Sequence, residues 1–575
     1  MSTDLTITLH GVRSAHASIT RRRIAVVTVV LAAGFATIAG RLIQLGTEVR
    51  AVTIEGREVS AIEASRPAIV DRNGIEMAVD IRVPSLYAEP RRIIDVEEAA
   101  QALRRALPDL DIEWLRNRLT GDRGFVWIKR EITPALRDEI MNLGIPGVGF
   151  LTESRRFYPA GTEVAHVLGG VNIDNQGIAG IERSIDADGV AELQSIGLAR
   201  GQALTPVALT IDVRVQHAMV SELRDALARY KSIAAAGVVL DVRTGEVLAL
   251  ASLPDFDPNN PASALLEGRY NRITAGNFEL GSVVKTVSFA AALDAGAVSL
   301  LDSFDSRQPV RFGRYAINDF RGQNRILTVP EIFRYSSNVG TIQMVQQLGK
   351  ENYRAFFSRI GFDKPLFTEL PEVTPPNVPS EFSEVVAATA SFGHGFSISP
   401  LHMARALAAF VNGGYLLTPT FYPRSQAEAL AQATRVISQA TSDRLRYLLR
   451  LNAVTGSGTR MNAVAAGYRV GGKTGTAEKV VNGRYGTGKN LNVFVTAFPM
   501  ENPRFVMLVM VDEAEPENPQ SGNTAGWNAG EVSGRIIARV APMLGVAPDA
   551  FEPLEQALVP PELRQPATLL TGELQ

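Results

Sequence analysis

Ser282-Val283-Val284-Lys285 sets a hydroxyl and an amine three residues apart, which on a helix is one face and about one turn. A serine hydroxyl is a weak nucleophile until a neighbour takes its proton. A lysine partly desolvated among Val283, Val284 and Phe289 has its pKa lowered enough to do so. Gly281 precedes the serine and good helix formers follow it, so the spacing predicts Ser282 at a helix N-terminus, where the amide dipoles favour developing negative charge. Ser336-Ser337-Asn338 falls between two helical stretches. It offers a second hydroxyl, Ser336, to relay a proton to or from an amine, and a carboxamide, Asn338, to orient Lys285 and hold a peptide carbonyl. Lys473-Thr474-Gly475-Thr476 lies in a stretch whose alternation predicts a strand, with Gly475 open to close backbone approach. At a sheet edge that strand would pair with an extended peptide, while Lys473 and the two threonine hydroxyls would attract a terminal carboxylate. The N–H groups of Thr476 and Ser282 would then form an oxyanion hole. Together these residues describe serine acyl transfer.

Composition makes coincidence a poor account. Lysine is scarce, eight of 58 basic residues, so a Ser-x-x-Lys arises by chance on the order of half a time in such a chain, and a Lys-Thr-Gly in roughly a few per cent of such chains. A second Ser-x-Asn, at Ser521-Gly522-Asn523, follows Lys473 and is out of order. Other chemistries lack their parts. The six histidines are scattered, there is no Gly-x-Ser-x-Gly, no His-Glu-x-x-His and no phosphate-binding glycine loop. The absence of cysteine removes thiolate nucleophiles and thiolate metal sites, and a net charge of -2 argues against a general nucleic-acid binder.

The elements that must hold these residues can be outlined. With 575 residues and 46% hydrophobic composition, two or more domains are expected. Arg21, Arg22 and Arg23 precede an apolar run that, taken as helix over 24–45, is roughly 33 Å long, enough to span a membrane. The charge bias puts residues 1–23 in the cytoplasm and the rest outside; a signal peptide cleaved near Ala39-Gly40 is the competing reading. Residues 46–210 mix short strands and turns with amphipathic helices, including Glu98 to Leu107 and Ile112 to Leu119. From 211 to 546, a helix over Val213 to Tyr230 is followed by a hairpin around Arg243-Thr244-Gly245, and a second hairpin turns at Glu501-Asn502-Pro503. If both join one sheet, the helix-rich middle (Ser282 to Ala295, Val329 to Leu348, Pro400 to Val411) is an insertion. The fold class is therefore mixed α/β, with a mostly antiparallel sheet flanked by helices. Residues 547–575 are Pro-rich and read as a loose tail.

Taken in order, the three words make the chain resemble a class B penicillin-binding protein, most closely the division-specific (septal) peptidoglycan D,D-transpeptidase. The resemblance extends to Ser65-Arg66-Pro67, Tyr158-Pro159-Ala160-Gly161, Gly177-Ile178-Ala179-Gly180-Ile181-Glu182 and Gly393-His394-Gly395. It departs at Leu280, where many members have proline. The resemblance implies an anchored protein of the bacterial inner membrane with a periplasmic catalytic domain carried on an elongated α+β pedestal of dimerisation type. It assigns Ser282 as nucleophile, Lys285 as base, Ser336 and Asn338 to proton relay and orientation, and Lys473, Thr474, Gly475 and Thr476 to substrate binding. It implies no cofactor or metal. It implies as partners stem peptides and lipid-linked precursor strands, β-lactams, a membrane glycosyltransferase and other division proteins. The elongation-type relative shares all three words, and a non-catalytic β-lactam sensor or division scaffold is the alternative from another class. A β-lactamase would need a Glu-x-x-Leu-Asn that is not present.

Overall fold

The computed structural model of the chain describes residues 25–26, 28–39, 53–54, 57–58, 66–187, 205–481, 484–548 and 557–564. They belong to two compact units, one of Met1–Glu63 with Pro84–Leu151, the other of Ala64–Val83 with Thr152–Gln575. Residues 28–39 are helical with Val29, Val30, Phe35 and Ile38 exposed. Among the described residues no helix is long and apolar enough to cross a membrane. The expected 1–23 tail lies outside the described residues, as do parts of the expected 24–45 anchor and of the 547–575 tail.

The first unit is built on helix signals. Helices Val96–Ala106, Ile112–Leu119 and Pro134–Asn142 each open on a capping side chain, Asp95, Asp111 and Thr133, that accepts the backbone N–H three residues on. The first begins two residues earlier than its apolar stripe predicts, because the Asp95 carboxylate takes the Glu98 N–H and starts the turn there. Their apolar faces close, with the strand Val126–Lys129, over a core of Leu86, Leu103, Leu115, Leu119, Ile128 and Ile140.

In the second unit, α1 (Val213–Arg229) leads into β1 (Ala234–Asp241) and β2 (Val247–Leu253). A long insertion carries α2 (Lys285–Asp294), α3 (Val329–Tyr335), α4 (Asn338–Leu348), α5 (Pro400–Val411) and α6 (Gln439–Thr455). The chain then returns as β3 (Gly471–Val481), β4 (Arg484–Phe498) and β5 (Phe505–Asp512), and closes with α7 (Ala529–Met543). Both hairpins join one sheet, ordered β2-β1-β5-β4-β3, with every neighbouring pair antiparallel.

Side-chain alternation divides the sheet between two cores. Val238, Leu240, Val493, Val495, Leu508 and Met510 face the insertion helices, and Val239, Phe494, Phe498, Met507 and Val509 face α1 and α7. From Lys285 to Leu293 every residue of α2 is buried, so this helix runs through the inside of its layer. The helical stretch over Val329 to Leu348 breaks at Ser336-Ser337, between the two helical stretches expected on either side: Ser336 takes a left-handed backbone (φ 57°) and Ser337 caps α4 through the Gly340 N–H.

The chain's resemblance segments meet in a buried ion cluster of this unit. Arg66 Nε donates to Glu182 Oε2 at 3.0 Å and Arg156 Nε to Glu182 Oε1 at 2.6 Å, while Arg156 also reaches Asp80 at 3.0 Å and the Pro67 carbonyl at 2.9 Å. Glu182 is fully buried. Glu182→Ala therefore leaves two buried guanidinium groups short of a partner, and it should cost about 3–5 kcal/mol. Thermal unfolding of variant and wild type side by side measures this, and a shift too small to resolve would mean that Asp80, on Arg156, and Asp186, 2.6 Å from Arg66, carry the arginines alone.

Candidate active site

Two glycines bring the serine turn onto the edge strand. Gly281 opens a 3₁₀ turn, Gly281–Val284, that runs into α2, so Ser282 sits in a tighter turn than the α-helical start expected, one turn ahead of Lys285. Gly281 has φ +59°, and a Cβ there would stand 2.8 Å from the Thr476 carbonyl oxygen. A Cβ on Gly475 would stand 2.3 Å from the Leu280 carbonyl and 3.0 Å from the Val283 nitrogen. Ser282 lies between these contacts, partly exposed, with Thr476 beside it. Leu280, where proline would be usual, is buried and its carbonyl rests on Gly475.

Beneath the turn, two buried lysines meet at one hydroxyl. Lys285 Nζ donates to Ser336 Oγ at 3.1 Å and to the Ser336 carbonyl oxygen; Lys473 Nζ donates to the same Oγ at 2.9 Å and to the Thr474 carbonyl at 3.2 Å. Both lysines are fully buried. Burial first, then the charge of Lys473, holds the Lys285 ammonium well below the usual lysine range, with Asp319 acting in the opposite sense. Burial pushes Lys473 down to about 7. The left-handed backbone at Ser336 is what turns both its carbonyl and its hydroxyl toward Lys285.

Among the described residues no direct hydrogen bond joins Asn338 to Lys285. Asn338 Nδ2 donates to the Asn318 carbonyl at 3.2 Å, because the first turn of α4 is tied to the loop that holds Asn318 and Asp319. Asp319 accepts from Ser337 Oγ at 2.7 Å, from Val339 N at 2.9 Å and from Asn338 N. It caps α4 and puts a carboxylate within electrostatic range of Lys285. Nothing in the sequence marks this residue, a single aspartate between a short hairpin and Phe320.

Among the described residues β3 is the last strand of the sheet, paired with β4 alone, as an edge strand should be. Its threonine hydroxyls are held in place: Thr474 Oγ1 donates to Ser457 Oγ at 2.7 Å, and Thr476 Oγ1 donates to Asn492 Oδ1 and accepts from Ala525 N, both at 3.1 Å. Asn452 fastens the other side, donating to the Gly472 carbonyl at 2.7 Å while its Oδ1 accepts from Ser457 N and Oγ. Thr474, Thr476 and Ser457 face a cavity of about 460 Å3 shared with Arg321, Arg460 and Trp527. Asn452, Ser457 and Asn492 carry no motif and are found only through their partners on β3. The arrangement supplies a hydroxyl on a turn, two amines whose protons are loosely held, a relay hydroxyl between them and an open strand edge. Those are the parts of acyl transfer to and from a peptide.

Comparison with known proteins points the same way. Residues 235–538 match the penicillin binding protein transpeptidase domain, and residues 61–194 match the penicillin-binding protein dimerisation domain. The chain is 37% identical over 500 residues to the probable peptidoglycan D,D-transpeptidase FtsI of Caulobacter vibrioides, covering 85% of this chain and 83% of that one. It is 31% identical over 525 residues to the peptidoglycan D,D-transpeptidase FtsI of Escherichia coli K12, covering 86% of each. The fold is similar to that of a crystal structure of penicillin binding protein 3 from Mycobacterium tuberculosis complexed with aztreonam. The TM-score is 0.65 at 24% identity, over 85% of this chain and 98% of that one.

Proposed function

For a chain that belongs to the penicillin-binding protein transpeptidase family, we propose a reaction course in which Ser282 carries the acyl group. The protein is a septal class B peptidoglycan D,D-transpeptidase, a serine acyltransferase and β-lactam target. Lys285, whose hold on its proton is weakened by burial and then by the charge of a second lysine, takes the Ser282 proton as Oγ attacks the D-Ala-D-Ala carbonyl of a donor stem. The negative charge forming on the carbonyl oxygen falls between the N–H groups of Ser282 and Thr476, which the Gly281 and Gly475 contacts bring side by side. The proton passes to the departing D-alanine through Ser336, whose hydroxyl both lysines touch. Lys473, Thr474 and Thr476 receive the terminal carboxylate, and Asn338 offers its carboxamide to the donor backbone. An amine on an acceptor stem then attacks the acyl-serine, its proton returning by the same relay, and the product is a cross-link. A β-lactam enters as the donor does and stays on Ser282.

The observation that carries this reading is the convergence of Lys285 and Lys473, 188 positions apart in the numbering, on the Ser336 hydroxyl beneath the Ser282 turn. The apolar run after Arg23 supports an anchor over 24–45 in the inner membrane, with residues 1–23 cytoplasmic and all beyond periplasmic. On that arrangement residues 46–210 are the pedestal, 211–546 the transpeptidase and 547–575 a tail. The test supplies the full-length enzyme with a donor stem ending in D-Ala-D-Ala and an acceptor stem. D-alanine and cross-linked dimer should appear in equal amounts, and one equivalent of benzylpenicillin should stop both. Release of D-alanine with no dimer would make the enzyme a carboxypeptidase and overturn the assignment.

A further inference from the structure

The cavity of about 460 Å3 beside Thr474 and Thr476 has far more room than a departing D-alanine fills. Its place in the reaction follows from strand direction. With the donor's terminal carboxylate at Lys473 and Thr474 and its scissile carbonyl at Thr476, a peptide added to this edge runs antiparallel to β3. The leaving D-alanine then lies toward this cavity, and the acyl group that stays on Ser282 lies the other way. Once D-alanine has gone, the amine that replaces it must reach the acyl carbon along the path by which the first amine left, and so from the same cavity. This argument rests on the transpeptidase reading.

The lining of this cavity suits an anion. It is made by two arginines, five hydroxyl side chains and no carboxylate, whereas a cavity of about 440 Å3 farther along β3 is lined by both Glu279 and Glu478. Arg460 is already committed: its Nε donates to Glu531 Oε2 at 2.7 Å, and its guanidinium lies 4.5 Å from the centre of the Trp527 ring. Arg321 is not. It is exposed at the cavity, and among the described residues its guanidinium makes no ion pair or hydrogen bond and rests only on Phe320, 5.8 Å from the ring centre. The loop that carries it is anchored two residues earlier, where Asp319 accepts from Ser337 Oγ at 2.7 Å and from Val339 N at 2.9 Å at the start of α4. An unpaired cation thus faces the cavity from a loop tied to the helix start beside the relay hydroxyl of Ser336.

We propose that this cavity receives the acceptor, and that Arg321 is a specificity residue of the second half-reaction, selecting acceptors that carry a free carboxylate beside the attacking amine. In that step the neutral amine adds to the acyl carbon. Its nitrogen forms the new amide bond as the ester bond to Ser282 Oγ breaks, and the proton it sheds returns through Ser336 to that Oγ. Arg321 takes no part in these transfers; pairing with the acceptor's carboxylate, it holds the amine at the acyl group.

The test gives the full-length enzyme one donor stem ending in D-Ala-D-Ala and, together in equal amounts, two acceptor stems that differ at one group. The carboxylate beside the attacking amine is free in one and a carboxamide in the other. The readout is the ratio of the two cross-linked dimers by mass spectrometry. Both dimers come from one acyl-enzyme, so the ratio cancels any loss of folded protein or of acylation rate. Wild type should favour the free carboxylate by about fivefold. Arg321→Gln should bring the ratio near one, Arg321→Glu should turn it toward the carboxamide, and Arg321→Lys should keep most of the preference. Equal dimers on wild type, or a preference that survives Arg321→Glu, overturns the role of Arg321. Benzylpenicillin is run alongside: a wild type that neither binds it covalently nor releases D-alanine from the donor overturns the catalytic reading instead.

Discussion

Ser282→Ala should give a folded protein that takes up no fluorescent penicillin, where wild type is labelled to one equivalent per chain. The hydroxyl is the only atom removed, and the turn that holds it is made by backbone contacts of Gly281 and Val283 with β3, which the substitution leaves alone. Stability should stay within about 0.5 kcal/mol of wild type. The cavities and both lysines remain, so any reversible affinity for the drug persists while the covalent step is lost. Denaturing gels after labelling, with thermal unfolding as the control, read both. A labelled Ser282→Ala protein would place the nucleophile on another residue and sink the mechanism.

The second large effect belongs to Lys285. Lys285→Met keeps the length and the apolar stem of the side chain but removes the amine, and acylation by penicillin should slow by about 10³-fold, within the range of a lost general base. The pH profile separates this role from a structural one. Lys285 is neutral above its depressed pKa, so the acylation kcat/KM of wild type rises as pH climbs through that value. Lys473 keeps the ammonium that attracts the drug's carboxylate only below about 7, so the same constant falls above that pH, and the profile is a bell. Asp319 favours the charged form of Lys285. Asp319→Asn withdraws that support, and the acid limb should move to lower pH while the alkaline limb stays. A stopped-flow series on the three proteins measures all of this; a flat profile would remove both lysines from the titrating chemistry, and an unmoved acid limb would leave Asp319 as a helix cap alone.

How much of this was legible depended on whether a residue's role is set by its neighbours in sequence. The sheet could be read because period-two alternation around Arg243-Thr244-Gly245 and Glu501-Asn502-Pro503 is a local property of hairpins, and strand order then follows from placing both in one sheet. Helices 285–294 and 400–411 could be read for the same reason. Ser282, Lys285, Ser336 and Lys473 were visible as words, although only the fold could bring both lysines to the Ser336 hydroxyl. What the sequence hid are contacts made by closure. Asp319 reaches Ser337 and Val339 past the whole of α3, Asn452 reaches Gly472 from α6, and Arg66 meets Glu182 from 116 positions away. No periodicity marks such residues, because each is chosen by a partner that chain-local physics does not specify. The left-handed Ser336 was hidden too: the sequence places a break there, but not the strained backbone that opens the lysine contacts.

The crowding at Gly475 bears on how this enzyme can escape a drug. Any side chain at that position would drive into the Leu280 carbonyl, 2.3 Å from where its first carbon must sit, and so displace the loop that holds the nucleophile. Glu478, farther along β3, is exposed and carries no such penalty. Inhibitors that draw their grip from the main chain at Gly475 press on ground the bacterium cannot rebuild, whereas those that lean on the flanking side chains invite resistance one codon at a time.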